Sequence, residues 1–166
     1  MKKIGLISDT HGYLDDAVFR HFESCDEVWH AGDFGSMELV EKLEAFRPLR
    51  GVFGNIDGQE ARNRFPEILR WDCEEVPVLM MHIGGYPGRY AKAAKALLKD
   101  RSARLFITGH SHILKVMFDP AFDCLHMNPG AAGRQGWHKV RTLLRFSIEG
   151  KEIRDCEVIE LAGRWQ

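Results

Sequence analysis

The sequence has no long apolar segment, no closely spaced cysteines and almost no net charge. None of its apolar runs approaches the roughly 20 residues that a membrane-spanning helix requires, so we expect no membrane partner. Met1 is followed directly by a strand-like segment rather than by the apolar region of a signal peptide. The four cysteines, Cys25, Cys73, Cys124 and Cys156, are far apart, which predicts reduced and mostly buried thiols. Together these absences predict a cytoplasmic protein.

The formal charge is −1 over 166 residues, so no global field attracts nucleic acid. The basic residues around 89–104 are interpreted as a solvated helix face, because exposed aromatic residues of the kind that stack on single strands are missing there. Nucleic acid is therefore not an expected partner. The sequence has no linker, repeat or low-complexity segment, and its length suits one core. We expect a single domain over residues 1–166.

An apolar run at residues 4–7 ends in Ser8, Asp9, Thr10 and His11. Such a run, closed by turn residues, is typical of a buried strand. In open α/β sheets, ligands bind at the carboxyl ends of strands. Asp9 and His11 would offer an oxygen and an imidazole nitrogen to a metal there, although one such pair by itself is more often an ordinary turn.

The same pattern recurs four more times along the chain. Apolar runs end before Gly32-Asp33, before Asn55, at His82 and before His110 and His112. The candidate site residues are Asp9, His11, Asp33, Asn55, His82, His110 and His112. Two carboxylates, one amide and four imidazoles exceed the needs of one ion, and they suit two first-row ions that share a carboxylate. Paired ions of this kind are a usual device for hydrolysing phosphate esters.

Helix-like patterns at 14–24 and 36–46 alternate with the first strands, which predicts parallel strands with right-handed crossovers. A further helix is predicted at 90–99. The segments 114–118, 123–127, 139–148 and 152–161 predict strands joined by short turns. We expect them to form a second, largely antiparallel sheet.

The ordered set of motifs between residue 4 and about residue 133 resembles the motif series of the calcineurin-like metallophosphoesterases. The motifs that carry this resemblance are Asp9-Thr-His11, Gly32-Asp33, Gly54-Asn55-Ile-Asp57, His82 and Gly109-His-Ser-His112. The short chain and the Asn128-Pro-Gly130 loop resemble the small YfcE-type phosphodiesterase branch. The resemblance implies an α/β fold, a four-layer α/β/β/α sandwich of two mixed β-sheets flanked by helices.

The resemblance also implies roles for the site residues. Asp9, His11 and His112 would hold one ion. Asn55, His82 and His110 would hold a second, and Asp33 would bridge both. Asp33, Asn55 and His82 are the residues expected to take part in catalysis. The implied cofactors are two divalent transition-metal ions, foremost Mn²⁺, with Fe²⁺, Zn²⁺ or Ni²⁺ as alternatives. The implied reaction is hydrolysis of a small phosphoester, foremost a phosphodiester, by a metal-activated hydroxide.

Two positions depart from the family pattern. Many members carry a histidine after the metal-binding asparagine, where it protonates the leaving group, whereas this chain has Ile56. Glycine commonly follows the histidine that corresponds to His82, and here Ile83 stands in its place. No role follows from sequence for Asp57 beyond a turn or the orientation of a ligand.

A second function class stays open, because the same small branch resembles a eukaryotic trafficking subunit that uses the fold as a scaffold for protein–protein interaction. Loss of metal ligands would favour the scaffold, and here all seven positions carry suitable residues. A homo-oligomer also stays open, since Phe118, Phe122 and Trp165 suit either a core or an interface.

Overall fold

The computed structural model describes residues 1–163, which form two five-stranded sheets and a two-stranded hairpin. The strands are β1 (Lys2–Ile7), β2 (Glu27–His30), β3 (Leu49–Gly51), β4 (Ile68–Cys73), β5 (Val76–Met81), β6 (Gly85–Tyr86), β7 (Arg89–Tyr90), β8 (Leu105–Ile107), β9 (Leu114–Asp119), β10 (Cys124–Pro129), β11 (Val140–Glu149) and β12 (Glu152–Gly163). The helices are α1 (Asp16–His21), α2 (Met37–Phe46), α3 (Gln59–Arg64) and α4 (Lys92–Leu98).

The first sheet has the order β12-β11-β1-β2-β3. β1, β2 and β3 run parallel, as the strand–helix alternation predicts, and β11 pairs antiparallel with the other side of β1. The second sheet has the order β4-β5-β8-β10-β9, with parallel pairs around β8 and antiparallel pairs at both edges. Both sheets are therefore mixed.

The expectation that the four C-terminal strands form their own sheet is wrong. β9 and β10 complete the second sheet, while β11 and β12 extend the first. The physical reason is the free edge of β1: it accepts β11 in register from Lys2 opposite Ile148 to Leu6 opposite Leu144, which also buries Phe146 against the second sheet.

The two sheets pack face to face and share one apolar core. Leu6, Trp29 and Phe146 of the first sheet meet Met80 and Ile107 of the second, and all five side chains are at most 1% exposed. Sheets whose inner faces interdigitate in this way are held by the removal of apolar surface from water.

Helices cover both outer faces. Val18 of α1 and Leu43 of α2 pack on the first sheet, whereas Ala94 and Leu98 of α4 pack on the second. Helices, sheet, sheet and helix thus form four layers, and the predicted α/β/β/α sandwich is confirmed.

Three helices differ from the sequence-based expectation. The predicted helix at 14–24 is shorter, because Asp15 stands outside it and caps it by accepting a hydrogen bond from Ala17 N at 2.8 Å. The predicted helix at 90–99 begins at Lys92, since Arg89–Tyr90 pairs with Gly85–Tyr86 instead. α3 was not predicted, because it is six residues long and mostly polar.

The other expectations have mixed outcomes. All four cysteines are free, and three are buried while Cys156 is exposed, so the prediction of mostly buried thiols is confirmed. Among residues 1–163, no helix is long and apolar enough to cross a membrane. Phe118 is 54% exposed and Phe122 packs partly against the α4 layer, whereas Trp165 lies outside the described residues. The single domain over 1–166 stays a prediction.

One charged side chain is fully buried at the end of the first sheet. Arg141 of β11 is 0% exposed and donates to Asp15 Oδ2 at 2.9 Å and to the carbonyl of Ala162 at 3.1 Å. Asp15 therefore has two partners, the N-terminus of α1 and the Arg141 guanidinium, and both help hold its pKa below the usual range. Removal of one partner from a buried pair is costly, because the other charge is left uncompensated.

We expect Asp15→Ala to lower the free energy of unfolding by at least about 2 kcal/mol, because it removes the helix cap and leaves Arg141 buried without its carboxylate. The neighbouring Asp16→Ala is the matched control. Asp16 lies exposed in the first helical turn, so its loss should cost less than about 1 kcal/mol. Urea unfolding measures both, and equal effects would show that the Asp15–Arg141 contact contributes nothing.

Candidate metal centre

The seven candidate residues lie on the loops that follow five strands. Asp9 and His11 follow β1, Asp33 follows β2 and Asn55 follows β3, all in the first sheet. The remaining residues, His82, His110 and His112, follow β5 and β8 in the second sheet. Because these five strands are parallel within their sheets, their carboxyl ends deliver all seven side chains to one end of the sandwich.

Five of the seven have a backbone conformation that residues other than glycine rarely adopt. The φ angles are 52° at Asp9, 47° at His11, 59° at Asp33, 68° at His110 and 59° at His112. A left-handed conformation costs such a residue roughly 1–2 kcal/mol, and strained backbone of this kind clusters at functional sites. The surrounding loops must therefore hold these residues in place.

Backbone hydrogen bonds between the loops supply that restraint. His11 N donates to the Asp33 carbonyl at 3.1 Å, and Asp9 N donates to the Gly32 carbonyl at 3.0 Å, so the β1–β2 ladder continues into the site. On the other side, Gly133 N donates to the Asp9 carbonyl at 3.0 Å. The glycine-rich loop after β10 thus supports the first loop from behind.

Each carboxylate uses one oxygen for fixed donors and turns the other toward imidazoles. Asp9 Oδ2 accepts from Ser8 Oγ at 2.6 Å and from His110 N at 3.0 Å. Asp33 Oδ1 accepts from Ile56 N at 3.1 Å. The remaining oxygens, Asp9 Oδ1 and Asp33 Oδ2, face the histidine cluster, in which His112 Nε2 lies 3.1 Å from Asp9 Oδ1.

The ligand atoms fall into two adjacent groups. Asp9, His11 and His112 form one group, and Asp33, His82 and His110 form the other, with one ligand atom of each residue lying within 4.8 Å of the others in its group. Asn55 joins the second group, since its Oδ1 lies 3.1 Å from His110 Nδ1.

Asp33 lies between the two groups. Its Oδ2 is 3.1 Å from His82 Nε2 and 3.5 Å from His11 Nε2, so one oxygen approaches a histidine of each group. The structure therefore brings together all seven residues that the sequence singled out, while their roles as ligands stay predictions.

A test of whether metal ions suit this site comes from its unsatisfied polar atoms. Asp9 Oδ1, His11 Nε2 and His82 Nε2 are buried and have no hydrogen-bond partner among the described residues. Buried polar atoms are nearly always paired, and an ion is one of the recognised explanations for exceptions. Carboxylate oxygen and imidazole nitrogen are also the donors that borderline divalent ions accept. The donor set fits metal ions.

The electrostatics keep the two acids ionised. Burial raises the pKa of the Asp9 carboxyl, but the His11 and His112 imidazoles outweigh that effect and hold the pKa below its usual range. Burial likewise raises the pKa of Asp33, and His82 more than reverses it. In return, Asp9 raises the pKa of His11, so protons compete with metal ions for this cluster at mildly acidic pH.

Two of the histidines are fixed in the tautomer that leaves Nε2 free for a ligand. His82 Nδ1 donates to the Ala31 carbonyl at 2.7 Å. His138 Nε2 lies 2.7 Å from the Gly133 carbonyl and so carries a proton, which makes His138 Nδ1 the acceptor for His112 Nδ1 at 3.2 Å. Partners of this kind orient metal-binding histidines and raise their basicity.

His30 holds the loops together instead of facing the cluster. Its Nδ1 accepts from Gly32 N at 3.1 Å, so Nε2 carries the proton and donates to Thr10 Oγ1 at 3.0 Å. The ring also stacks on Phe34, with centroids 4.0 Å apart, and burial lowers the pKa of His30 to about 3. His30 is therefore neutral and holds the two loops together. Both of its ring nitrogens take part in these hydrogen bonds, so neither is available to a metal ion.

Asp57 joins the second and third loops. Its carboxylate accepts from Gly54 N at 2.8 Å, Phe34 N at 3.2 Å and Gly35 N at 3.1 Å. The close approach of these loops also requires glycine at position 54, because a Cβ there would overlap the Asp33 carboxylate. Asp57 thus closes the turn that begins at Gly54 and also holds the loop that carries Asp33, so both alternatives that the sequence left open apply.

Sequence reasoning gave no role to His138. It lies outside the motifs, 26 residues beyond its partner His112, and no sequence spacing links the two. The contact depends on how β11 returns to the first sheet, which the local sequence pattern does not specify.

Comparisons with known proteins give a family match over most of the chain. The family model described as the calcineurin-like phosphoesterase superfamily domain matches residues 1–151. A probable metallophosphoesterase of Methanothermobacter thermautotrophicus is 31% identical over 133 residues, which cover 77% of this chain and 76% of that protein.

Solved structures share the fold. An archaeal phosphodiesterase superposes with a TM-score of 0.77 at 23% identity, covering 96% of this chain and 99% of its own. Vps29 of Entamoeba histolytica, solved in complex with Zn²⁺, superposes with a TM-score of 0.73 at 17% identity, covering 95% and 98% of the two chains. At these identities the two likenesses show the fold alone.

We expect His138→Leu to weaken metal binding by about 10- to 100-fold, because His112 loses the acceptor that sets its tautomer. His138→Asn is the matched variant, since its amide oxygen can accept the same proton, and it should retain most of the affinity. Calorimetric titration of the metal-free proteins with Mn²⁺ measures both. Wild-type affinity in the leucine variant would show that His138 does not orient His112.

Proposed function

The chain belongs to the calcineurin-like phosphoesterase superfamily and is a metal-dependent phosphoesterase, and we propose that it hydrolyses small phosphodiesters with two divalent metal ions. The observation that carries the proposal is the pair of adjacent ligand groups with Asp33 between them. We assign Asp9, His11 and His112 to one ion, Asn55, His82 and His110 to the other, and Asp33 to both.

Bound divalent ions would polarise the phosphoryl oxygens and lower the pKa of a coordinated water. The chain's own contribution is to fix the ligands. Ile56 N holds one oxygen of Asp33 and leaves the other for the ions, while the Ala31 carbonyl sets the tautomer of His82. Catalysis by such a site depends on ligands that do not reorganise during the reaction.

Charge also favours an anionic substrate. Two divalent cations and two carboxylates leave a net charge of about +2, to which neutral histidines add nothing. A phosphodiester anion would be drawn to this end of the molecule although the whole chain carries −1.

The experiment that tests the proposal combines metal analysis with an assay. Protein purified without chelator, or reconstituted with Mn²⁺, Fe²⁺, Zn²⁺ or Ni²⁺, should bind about two ions per chain. It should cleave bis(p-nitrophenyl) phosphate faster than the monoester p-nitrophenyl phosphate. Folded protein that binds metal but cleaves neither ester would favour the alternative function, a scaffold for protein–protein interaction.

The scaffold is supported here only by a shared fold, since Vps29 resembles the chain at 17% identity. The retention of all seven candidate ligands and their convergence at one end of the sandwich favour the hydrolase. Mn²⁺ is our preferred metal for the mixed oxygen and nitrogen donor set, with Fe²⁺, Zn²⁺ and Ni²⁺ as the alternatives.

We expect Asp33→Asn to damage the site more than the loss of any ligand that serves one ion. An amide removes a negative charge that both ions share, so metal content should fall and turnover should drop by more than about 100-fold. Asn55→Ala, which affects one proposed ion, is the comparison. Two bound ions and near wild-type turnover in Asp33→Asn would contradict the bridging role.

A steep dependence of rate on the leaving group is expected from Ile56. A positioned general acid typically contributes about 10²–10⁴-fold, and isoleucine has no proton to donate. The buried His30 cannot replace it, because its pKa of about 3 keeps it neutral and Thr10 accepts its one ring N–H hydrogen bond. Aryl phosphodiesters should therefore react much faster than alkyl phosphodiesters.

A series of substituted phenyl and alkyl phosphodiesters with Mn²⁺ tests this expectation, plotted as rate against the pKa of the leaving alcohol. Ile56→His should reduce the dependence of rate on the pKa of the leaving alcohol if the histidine ring reaches the leaving oxygen. A shallow slope in the wild-type protein would mean that another group supplies the proton.

A further inference from the structure

A cavity of about 200 Å³ opens beside the proposed metal centre and shares two residues with it. These two residues are Asn55 and His82. The other side chains that line it are Phe53, Arg62, Glu67, Met81 and Ile83. Asn55 and His82 are proposed metal ligands, whereas the other five residues have no role in the proposed metal centre.

The cavity is lined by apolar side chains together with one arginine and one glutamate. The Arg62 guanidinium lies over the Phe53 ring, 4.5 Å from its centroid. Arg62 Nε donates to the Asp57 carbonyl at 2.8 Å, which anchors the side chain to the loop that carries Asn55. Among residues 1–163, Arg62 makes no close ion pair with a carboxylate, and the Glu67 carboxylate lines the same cavity.

Arg62 is exposed, so its guanidinium, which packs on the Phe53 ring, can also contact a second flat group. Arginine stacks on aromatic faces, and the attraction is electrostatic as well as dispersive. Met81 also lines the cavity, and methionine side chains make favourable contacts with aromatic rings. An aliphatic group of equal size would gain the apolar contact but would gain neither of these interactions.

The size of the cavity limits its occupant. Pockets for drug-sized ligands measure about 300–1,000 Å³, so this cavity has room for one ring system beside the phosphate. Glu67 also lines the cavity and supplies an acceptor, so a ring that carries an amino or hydroxyl group could donate a hydrogen bond there.

We propose that the cavity formed by Phe53, Arg62, Glu67, Met81 and Ile83 binds one ester group of the substrate, and that this group is a flat aromatic ring. The inference rests on the proposed function, because it places the phosphate at the metal centre. It names the substrate class as phosphodiesters with at least one aromatic or nitrogen-heterocyclic ester group.

Binding of phosphonates tests the inference without any hydrolysis. Phenylphosphonate and cyclohexylphosphonate share the phosphonate group and nearly match in size, and each carries a single organic group that can enter the cavity. Calorimetric titration of the Mn²⁺-loaded protein should give about 3- to 30-fold tighter binding of phenylphosphonate. Methylphosphonate, which cannot fill the cavity, should bind more weakly than either.

Arg62→Met should reduce the ratio of phenylphosphonate to cyclohexylphosphonate affinity to near one. The ratio within one variant cancels any general change that the substitution causes at Asn55. Arg64→Met is the matched control from the same helix, because Arg64 pairs with Glu44 and does not line the cavity, and it should keep the wild-type ratio.

Equal affinities for the two ring phosphonates in the wild-type protein would overturn this inference and leave the proposed function intact. A wild-type ratio that persists in Arg62→Met would also overturn it, because the selectivity would then arise elsewhere. If none of the phosphonates bound to the metal-loaded protein, the anion site itself would be wrong, and the proposed function would fail with it.

Discussion

The whole end of the sandwich depends on burying two carboxylates next to one another. Asp9 is 0% exposed and Asp33 is 2% exposed, and each repels the ionised form of the other. Neighbouring imidazoles and fixed donors keep both acids charged, and divalent ions would complete the compensation. The loops around the site supply the hydrogen bonds and imidazoles that hold these two carboxylates in place.

The restraint comes from outside the ligands themselves. His30 bonds both the first and second loops, Asp57 bonds the second and third, and His138 bonds His112 to the backbone at Gly133. These contacts hold several residues in the left-handed backbone conformation, which they would leave for a less strained one without such restraint. A site that is already strained and restrained does not need to reorganise when its ions and substrate bind, and this is the property that electrostatic catalysis requires.

Sequence predicts those features of the fold and the site that leave a pattern in neighbouring residues. The apolar run at 4–7 within β1 is followed by Asp9 and His11, so both the burial of this run and the position of the two side chains at a sheet end follow from the local pattern. The parallel order of β1, β2 and β3 follows from the helices between them. The four-layer sandwich itself came from the family resemblance, which depends on motif order rather than on local pattern.

The parts that sequence missed depend on long-range pairing. The sequence of β11 predicts a strand but not the sheet that it joins. It joins the first sheet because the edge of β1 is free to pair with it. His138 is unremarkable in sequence until that pairing brings it to His112. The three backbone donors of Asp57 come from two different loops, so a motif of the form Asn-Ile-Asp cannot reveal its role.

The proposed function requires that the two ligand groups hold two ions and that Asp33 binds both. A crystal structure of the Mn²⁺-loaded protein with anomalous diffraction tests it most directly. The account predicts two anomalous peaks roughly 3.5–4 Å apart, one beside His11 and His112 and one beside Asn55 and His110, with Asp33 within bonding distance of each. A single peak, or two peaks of which only one contacts Asp33, would contradict it.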